Sequence, residues 1–127
     1  MKHQINSVKK FHEVYRIDYK NNPTTKIPLE TIKLRFNLMA EENIEYLDAA
    51  KKNDLVEVVD ALGDMLYILC GTIIAHGMQD KIEDIFNEIQ KSNMSKLDNN
   101  GNPIYREDGK VMKGPNYFKP NFSKILN

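Results

Sequence analysis

The feature that most constrains this chain is a long apolar stretch, residues 55–79, whose only charged side chains are three acids. Its other residues are almost all Val, Leu, Ile, Met, Ala, Gly, Tyr, Cys or Thr. A helix that is apolar on every side is usually interior, so the stretch predicts the central helix of an all-α bundle. Its acids, Glu57, Asp60 and Asp64, project within one arc of about 60° at 100° per residue.

Apolar residues at helical spacing predict two helices before this stretch, over residues 5–20 and about 29–52. The segment 21–28 between them contains two prolines and polar residues, which are typical of a loop. Pro28 suits the first position of the second helix, where its missing N–H costs nothing. The main apolar face of that helix is formed by Leu29, Ile32, Phe36, Met39, Ala40, Leu47 and Ala50.

The ends of the central helix carry recognisable signals. Asn53 or Asp54 is predicted to cap its N-terminus, and Gly77 is predicted to end it. Two glycines inside the helix, Gly63 and Gly71, predict close packing against neighbouring helices, because neither carries a side chain that would hold a neighbour away.

After the central helix, Asp80 with Glu83 forms a capping-box pattern for a fourth helix that reaches about Asn93. Asp108-Gly109, flanked by residues 104–112, predicts a hairpin with a two-residue loop. The fold class predicted is therefore all-α, a bundle of four main helices with a basic C-terminal hairpin or flap. At 127 residues the chain predicts a single domain, with a helical core over residues 1–93 and the flap over residues 94–127.

Charge is distributed unevenly along a chain whose net charge is zero. Residues 37–90 carry a net charge of −9, whereas residues 1–36 carry +5 and residues 91–127 carry +4. The zero total gives no electrostatic case for a nucleic-acid or membrane partner, and neither is expected. The acidic centre suits divalent cations, and the basic flanks suit a polyanion bound through those cations.

The single cysteine, Cys70, cannot form an internal disulfide, which fits a reducing, cytoplasmic location. The N-terminus has no apolar segment typical of a signal peptide. The most apolar run, from Met65 to Ala75, is too short to span a membrane.

Three acids of the second helix, Glu41, Glu42 and Glu45, lie within one arc of about 100°. They continue a second apolar ridge that Leu34 and Leu38 begin. A face that is only solvated would not be built on two leucines, although most glutamate-rich helix faces are solvated.

Two acid-bearing helices joined by a short turn pack antiparallel, so the two sets of acids can face each other. The apolar helix has no Lys or Arg to pair with them. Carboxylates without His or Cys favour hard cations, Mg²⁺ or alternatively Mn²⁺. Glu57 on its own could be only a capping residue, but the six acids together favour a metal site. Its predicted ligands are Glu41, Glu42, Glu45, Glu57, Asp60 and Asp64.

These acids resemble a family signature. The sequence EENIE at 41–45 followed by EVVD at 57–60 is similar to the E-E-x-x-E and E-x-x-D elements of the all-α nucleoside triphosphate pyrophosphohydrolases. That superfamily includes MazG-like proteins, dimeric dUTPases and phosphoribosyl-ATP pyrophosphohydrolases. In much of it the second element lies one turn later, where this chain has Ala61 and Asp64, so whether Asp60 or Asp64 ligates the metal directly is left open.

Further segments resemble a MazG-like, dUTPase-like subgroup, and the resemblance covers residues 26–120. These segments are 60–67, Gly71-Thr72, 92–96 (SNMSK) and 114–117 (GPNY). The subgroup tends to continue after the last segment with two prolines and an acid, where this chain has Lys119-Pro120-Asn121.

The resemblance implies Mg²⁺-dependent hydrolysis of a nucleoside triphosphate between the α and β phosphorus atoms, with Glu42 or Glu45 deprotonating the attacking water. A pyrimidine deoxynucleotide such as dUTP, or a non-standard nucleotide, is the implied substrate. It further implies that lysines neutralise the triphosphate, asparagines donate hydrogen bonds and tyrosines contact base or sugar. For Tyr67 core packing is an equal alternative. The residues concerned are Lys96, Lys113, Asn93, Asn116, Tyr67 and Tyr117.

Two alternatives remain open. One is a non-catalytic helical assembly module whose acids pair with the basic flanks of another chain. The other is phosphoribosyl-ATP hydrolysis, which the extended flap argues mildly against. In each case the second apolar ridge and the flap predict a homodimer or a higher homo-oligomer, because such surfaces are seldom left bare.

Overall fold

The structure is a computed structural model that describes all 127 residues, Met1–Asn127. It is all-α, as predicted, and its helices are α1 (Lys2–Val14), α2 (Leu29–Lys51), α3 (Leu55–Ala75), α4 (Ile82–Met94) and a short α5 (Ser123–Leu126). The chain divides into two compact units, Met1–Asp80 with α1 to α3 and Lys81–Asn127 with α4 and α5. The predicted single domain and its boundary at residue 93 stay predictions.

Helices α1, α2 and α3 end with the same hydrogen-bonded motif. The residue just after each C-cap, Arg16, Asn53 or Gly77, has a positive φ of 56°, 56° or 70°. The next N–H then donates to the carbonyl five residues back, which satisfies one of the last helical carbonyls. These bonds are Ile17 to His12, Asp54 to Ala49 and Met78 to Ile73, at 2.8, 3.0 and 2.9 Å.

The first helix is shorter than the predicted range 5–20, because Arg16 adopts the left-handed conformation and ends α1 at Val14. Arg16 carries none of the usual glycine or asparagine signal for this conformation. Tyr19, which continues the apolar spacing of α1, instead folds back so that its hydroxyl donates to the Glu13 carboxylate at 3.0 Å.

The turn between α2 and α3 is only three residues long and makes the two helices an antiparallel pair. Asn53 turns the chain, and Asp54 caps α3 as predicted by accepting a hydrogen bond from the Glu57 N–H at 3.2 Å. Helix α3 packs against both α2 and α1. It is therefore the centre of the first unit.

A buried guanidinium joins α2 to the C-terminal half of α3. The Arg35 side chain donates to the Thr72 hydroxyl at 3.1 Å and to the Ile68 carbonyl at 2.8 Å. It has no carboxylate partner, and burial lowers its pKa. The fully buried His12 of α1 approaches the same place, at Gly71. The apolar core around them consists of Ile5, Val8, Ala49, Ala61, Cys70, Ile73, Ile74 and Ala75.

The prediction that α3 is interior along its whole length is wrong for its first half. Leu55, Val56 and Val59 are 61–76% exposed, and the face of α2 that carries Leu29 and Phe36 is exposed as well. Apolar composition indicates that a helix face is buried against other apolar residues, but it does not show whether they belong to the same chain or to another one. By length and composition α3 could also cross a membrane, a test that core helices of soluble proteins pass too.

The second unit departs from the sequence prediction at two turns. Helix α4 begins after Lys81 without a side-chain cap, so the predicted capping box from Asp80 is wrong. In the hairpin, the Arg106 N–H donates to the Lys110 carbonyl and the Gly109 N–H to the Arg106 carbonyl, at 2.8 and 2.9 Å. The loop therefore has three residues rather than two, with Gly109 at φ 86°, as in a turn closed by a bulge.

The two glycines of α3 provide a test of the packing around Arg35. A Cβ at Gly71 would collide with the Arg35 guanidinium and crowd the His12 ring, whereas a Cβ at Gly63 meets nothing within 4 Å. We expect Gly71→Ala to lower the free energy of unfolding by about 1–3 kcal/mol. The matched change Gly63→Ala should raise it by about 0.5–1 kcal/mol, because alanine favours a helix interior. Urea melts measure both, and shifts of the same sign would contradict this packing.

Candidate active site

Four of the six predicted metal ligands, carried by the packed helices α2 and α3, interact electrostatically. The charges of Glu45, Asp60 and Asp64 all act on the carboxyl group of Glu42, and Glu42 shares a hydrogen bond with Glu45. None of the four forms an ion pair with a Lys or Arg. The antiparallel pairing of the two helices therefore produces a carboxylate cluster without internal compensation.

Glu42 is the electrostatic centre of this cluster. Burial, the hydrogen bond with Glu45 and the charges of Glu45, Asp64 and Asp60 raise its pKa from 4.5 to about 7. A hydrogen bond between two carboxyl groups requires a proton on one of them. The second oxygen of Glu42, Oε2, is buried and has no hydrogen-bond partner. A buried acceptor without a partner is costly, so this oxygen is suited to a cation.

The donor set fits a divalent cation in its chemistry. It offers only carboxylate oxygens, the ligands that Mg²⁺ and Mn²⁺ prefer, and one of these oxygens is buried and unpaired. No group of three or more His, Cys, Asp or Glu side chains is arranged to hold a metal ion as the side chains stand.

The other two predicted ligands lie on the same helices. Glu41 is exposed on α2, and Glu57 lies in the first turn of α3, where its N–H is held by the Asp54 cap. Neither carboxylate is among the groups that raise the pKa of Glu42. Their roles as metal ligands stay predictions.

Tyr67, the predicted substrate contact of the first unit, packs against α1. Its ring meets that of Phe11 edge to face, with the centroids 5.5 Å apart. It also lines a cavity of about 160 Å³ together with Gly63 and Cys70. Its ring is 41% exposed, so packing does not enclose it and its substrate role stays a prediction.

In the second unit, Asn93 and Lys96 line a cavity of about 430 Å³ at the C-terminal end of α4. The cavity is otherwise lined by apolar side chains, those of Met94, Leu97 and Val111. Two polar side chains on an apolar wall form the kind of pocket that binds small molecules. Two of the predicted substrate residues are thus brought to one place.

The remaining predicted substrate residues lie on the segment 113–117. The Lys113 ammonium stands 4.9 Å from the centre of the Tyr117 ring, and the Asn116 amide donates to the Asn99 side chain at 3.4 Å. Gly114 approaches the carbonyls of Lys96 and Leu97 so closely that a Cβ there would collide with them. The segment therefore lies against the chain that follows α4.

Arg35 has a structural role that the sequence prediction missed. It lies seven residues before Glu42, two turns earlier on the same helix face. A lone cation between the two apolar faces of this helix, with Ile32 on one side and Leu34 and Leu38 on the other, was the available signal. Such a residue needs buried acceptors, and carbonyl and hydroxyl groups of α3 supply them.

Comparisons with known proteins agree with the resemblance found in the sequence. The family described as phosphoribosyl-ATP pyrophosphohydrolase matches residues 8–93, about two thirds of the chain. The match confirms the predicted superfamily. It ends at Asn93, so the segment that carries Lys96, Lys113, Asn116 and Tyr117 lies outside it.

Two individual proteins are similar to this chain. One is an uncharacterized protein, L479, of Acanthamoeba polyphaga mimivirus, which is 35% identical over 71 residues. The alignment covers 56% of this chain and 28% of the viral protein, so the chain spans less than a third of that relative's length. The other is a crystal structure from Exiguobacterium sp. 255-15, proposed to be an NTP pyrophosphohydrolase, at 29% identity, 92% and 88% coverage and a TM-score of 0.48.

The raised pKa of Glu42 predicts how the stability of the metal-free protein depends on pH. Between pH 4.5 and about 7, this carboxyl group is ionised in the unfolded chain but protonated in the folded one. The free energy of unfolding should therefore fall as the pH rises through this window, by at most about 1.4 kcal/mol per pH unit for one proton. In the Glu42→Gln variant this fall in the free energy of unfolding should be absent. Urea melts at pH 4.5, 6, 7 and 8 measure it, and parallel pH profiles for the two proteins would contradict the cluster.

Proposed function

This chain belongs to the phosphoribosyl-ATP pyrophosphohydrolase family, and from that membership we propose that it hydrolyses a nucleoside triphosphate. In this reaction water attacks either the α or the β phosphorus, and the bond from that phosphorus to the bridging oxygen breaks. The products are nucleoside monophosphate and pyrophosphate. The observation that carries the proposal is the uncompensated carboxylate cluster of α2 and α3, centred on Glu42.

A divalent cation is proposed as the cofactor, with Mg²⁺ preferred and Mn²⁺ as the alternative. When bound, it supplies electrophilic stabilisation of the phosphate oxygens. The lack of basic partners supports this choice, because none of the acids that interact around Glu42 forms an ion pair with a Lys or Arg. These acids are Glu42, Glu45, Asp60 and Asp64. The proposed ligand set is the one predicted from the sequence, Glu41, Glu42, Glu45, Glu57, Asp60 and Asp64.

The protein's own contribution to the chemistry would be proton transfer. A general base must lie within reach of the proton that it takes. Glu42 and Glu45 are neighbouring carboxylates whose charges interact, so either could accept a proton from a water bound beside them. We therefore propose this pair as the base, with either member as the acceptor.

Substrate binding is proposed for the second unit. Lys96 and Lys113 would neutralise phosphate charge, Asn93 and Asn116 would donate hydrogen bonds, and Tyr117 would contact base or sugar. The apolar cavity beside Asn93 and Lys96 supports this proposal, and so does the pairing of Lys113 with Tyr117. A similar contact is proposed for Tyr67 of the first unit.

The preferred substrate is proposed to be a pyrimidine deoxynucleotide such as dUTP, or a non-standard nucleotide. Phosphoribosyl-ATP is the second candidate, because it is the substrate named in the description of the family. The segment beyond Asn93 lies outside the family match and carries four of the proposed substrate contacts. This difference favours the first candidate.

A homodimer or larger homo-oligomer is proposed in a reducing, cytoplasmic setting. One face of α3 carries apolar residues at alternating spacings of four and three, all at least 43% exposed. This is the seam spacing of helices that pack side by side, and a second copy of the chain would cover it. The residues are Leu55, Val59, Leu62, Leu66 and Leu69. The same face would suit an assembly module, but family membership favours the enzyme.

Product analysis tests the proposed reaction. With Mg²⁺ present, we expect monophosphate and pyrophosphate from at least one substrate in a panel of dUTP, dCTP and phosphoribosyl-ATP, and neither product after the metal is chelated. Glu45→Gln and Asp60→Asn should lower kcat by several orders of magnitude, because both alter the site at which charge develops. Glu30→Gln removes an acid of α2 outside the cluster and should leave kcat unchanged. Chromatography that shows diphosphate and orthophosphate would contradict the proposal.

A lysine pair tests the proposed phosphate contact. Lys113→Ala should raise KM about tenfold or more, because a hydrogen bond to a charged group is lost, and kcat should change little. High salt should shrink the difference. Lys110→Ala makes the same charge change within the hairpin and should leave KM near the wild-type value. Equal KM values for the two variants in low salt would mean that Lys113 does not contact the phosphates.

A further inference from the structure

The strap, residues 114–121, has no helix or strand of its own. It contains Pro115 and Pro120, which have no N–H and cannot take part in a backbone ladder as donors. The other backbone groups of such a segment need partners wherever water is excluded. In this unit, side chains of α4 and of the turn after it provide them.

Both backbone groups of Phe118 are held by serines. The Ser92 hydroxyl donates to the Phe118 carbonyl at 2.8 Å. The Phe118 N–H donates to the Ser95 oxygen at 3.2 Å, and the Ser95 hydroxyl in turn donates to the Ser92 carbonyl at 2.6 Å. Ser92 is only 4% exposed, so its bond is shielded from water. The two serine hydroxyl groups thus bind both backbone groups of Phe118, one its carbonyl and the other its N–H.

Two further contacts extend this attachment along α4. The buried Glu88 carboxylate accepts from the Asn121 N–H at 2.8 Å, and Gly114 lies against the carbonyls of Lys96 and Leu97. As the residue numbers on the strap rise, those of its partners fall, so the strap runs antiparallel to α4. Glu88, Ser92 and Ser95 have the spacing of one helix face.

The segment SNMSK at 92–96, which spans the end of α4 and the turn after it, contacts both the strap and the cavity. Its serines face the strap, whereas Asn93 and Lys96 line the cavity. Residues one position apart on a helix point about 100° away from each other, which separates the two faces.

We propose that Ser92 and Ser95 are positioning residues, which clasp the strap to α4 and thereby place Lys113, Asn116 and Tyr117 beside the cavity of Asn93 and Lys96. The proposal rests on the proposed function for the substrate roles of these residues. The clasp itself rests on the hydrogen bonds to Phe118 alone. A clasp of this kind holds the backbone, so it fixes the position of the strap without contacting substrate.

Hydrogen exchange at the Phe118 amide tests the clasp without any substrate. Ser95→Ala removes the acceptor of this amide, and Ser92→Ala removes the donor to the neighbouring carbonyl. We expect each change to speed exchange at Phe118 by about fivefold or more, the factor for one lost hydrogen bond. Ser95→Thr keeps the hydroxyl and should retain slow exchange. Ser7→Ala, which removes a hydroxyl bonded within α1, is the matched control and should change nothing.

Steady-state kinetics on the same variants, with the best nucleotide of the panel and Mg²⁺, tests the positioning role. Ser92→Ala and Ser95→Ala should raise KM about fivefold or more with kcat within about twofold of wild type, whereas Ser95→Thr should restore KM. Unchanged exchange at Phe118 would refute the clasp. Faster exchange with an unchanged KM would refute the positioning role. A wild-type chain that hydrolyses no nucleotide would refute the proposed function, and exchange would still decide on the clasp.

Discussion

The antiparallel packing of α2 against α3 determines everything else in the first unit, and the buried guanidinium of Arg35 fixes its register. Arg35 reaches the Ile68 carbonyl and the Thr72 hydroxyl, which lie one and two turns after Asp64. Two turns further along α2, Glu42 then meets Asp64 and Asp60. A slip of one turn would leave the guanidinium without acceptors in the interior, which costs far more than it costs at the surface. The cation is thus isolated from the acids yet sets their position.

The acids of the carboxylate cluster repel one another, and their location explains why. The same packing that buries Arg35 brings four acids together where no basic residue can reach them. The protein holds a proton on Glu42 at a pH at which a free glutamate would have lost it. An acid with a perturbed pKa, surrounded by other acids, is typical of sites that perform chemistry.

Much of this structure could be predicted from the sequence, and the exceptions have identifiable physical causes. The all-α class, the Asp54 cap and the Gly77 helix end follow from spacing and residue type. So does the interaction of acids from α2 and α3 around Glu42, whereas their roles as metal ligands stay predictions. Arg16 could not be predicted, because a left-handed arginine has no sequence signal. The exposure of Leu55 and Val59 could not be predicted either, because periodicity shows which face is apolar but not what covers it. In the second unit Ser92 and Ser95 belong to the SNMSK segment that resembles the family, yet their hydrogen bonds depend on Phe118, 23 or more residues away.

The strap is attached to α4 through its main chain, and this has a consequence for how the protein can change over evolutionary time. Bonds to the peptide groups of Phe118 and Asn121 do not depend on which side chains those positions carry. The outward-facing side chains of the strap can therefore mutate without loosening it, provided that the serines of the helix and the close approach at Gly114 remain. Such a division separates a backbone anchor from a surface that is free to vary. Under the proposed substrate roles of Asn116 and Tyr117, substitutions on the strap would alter nucleotide preference without altering how the strap is held.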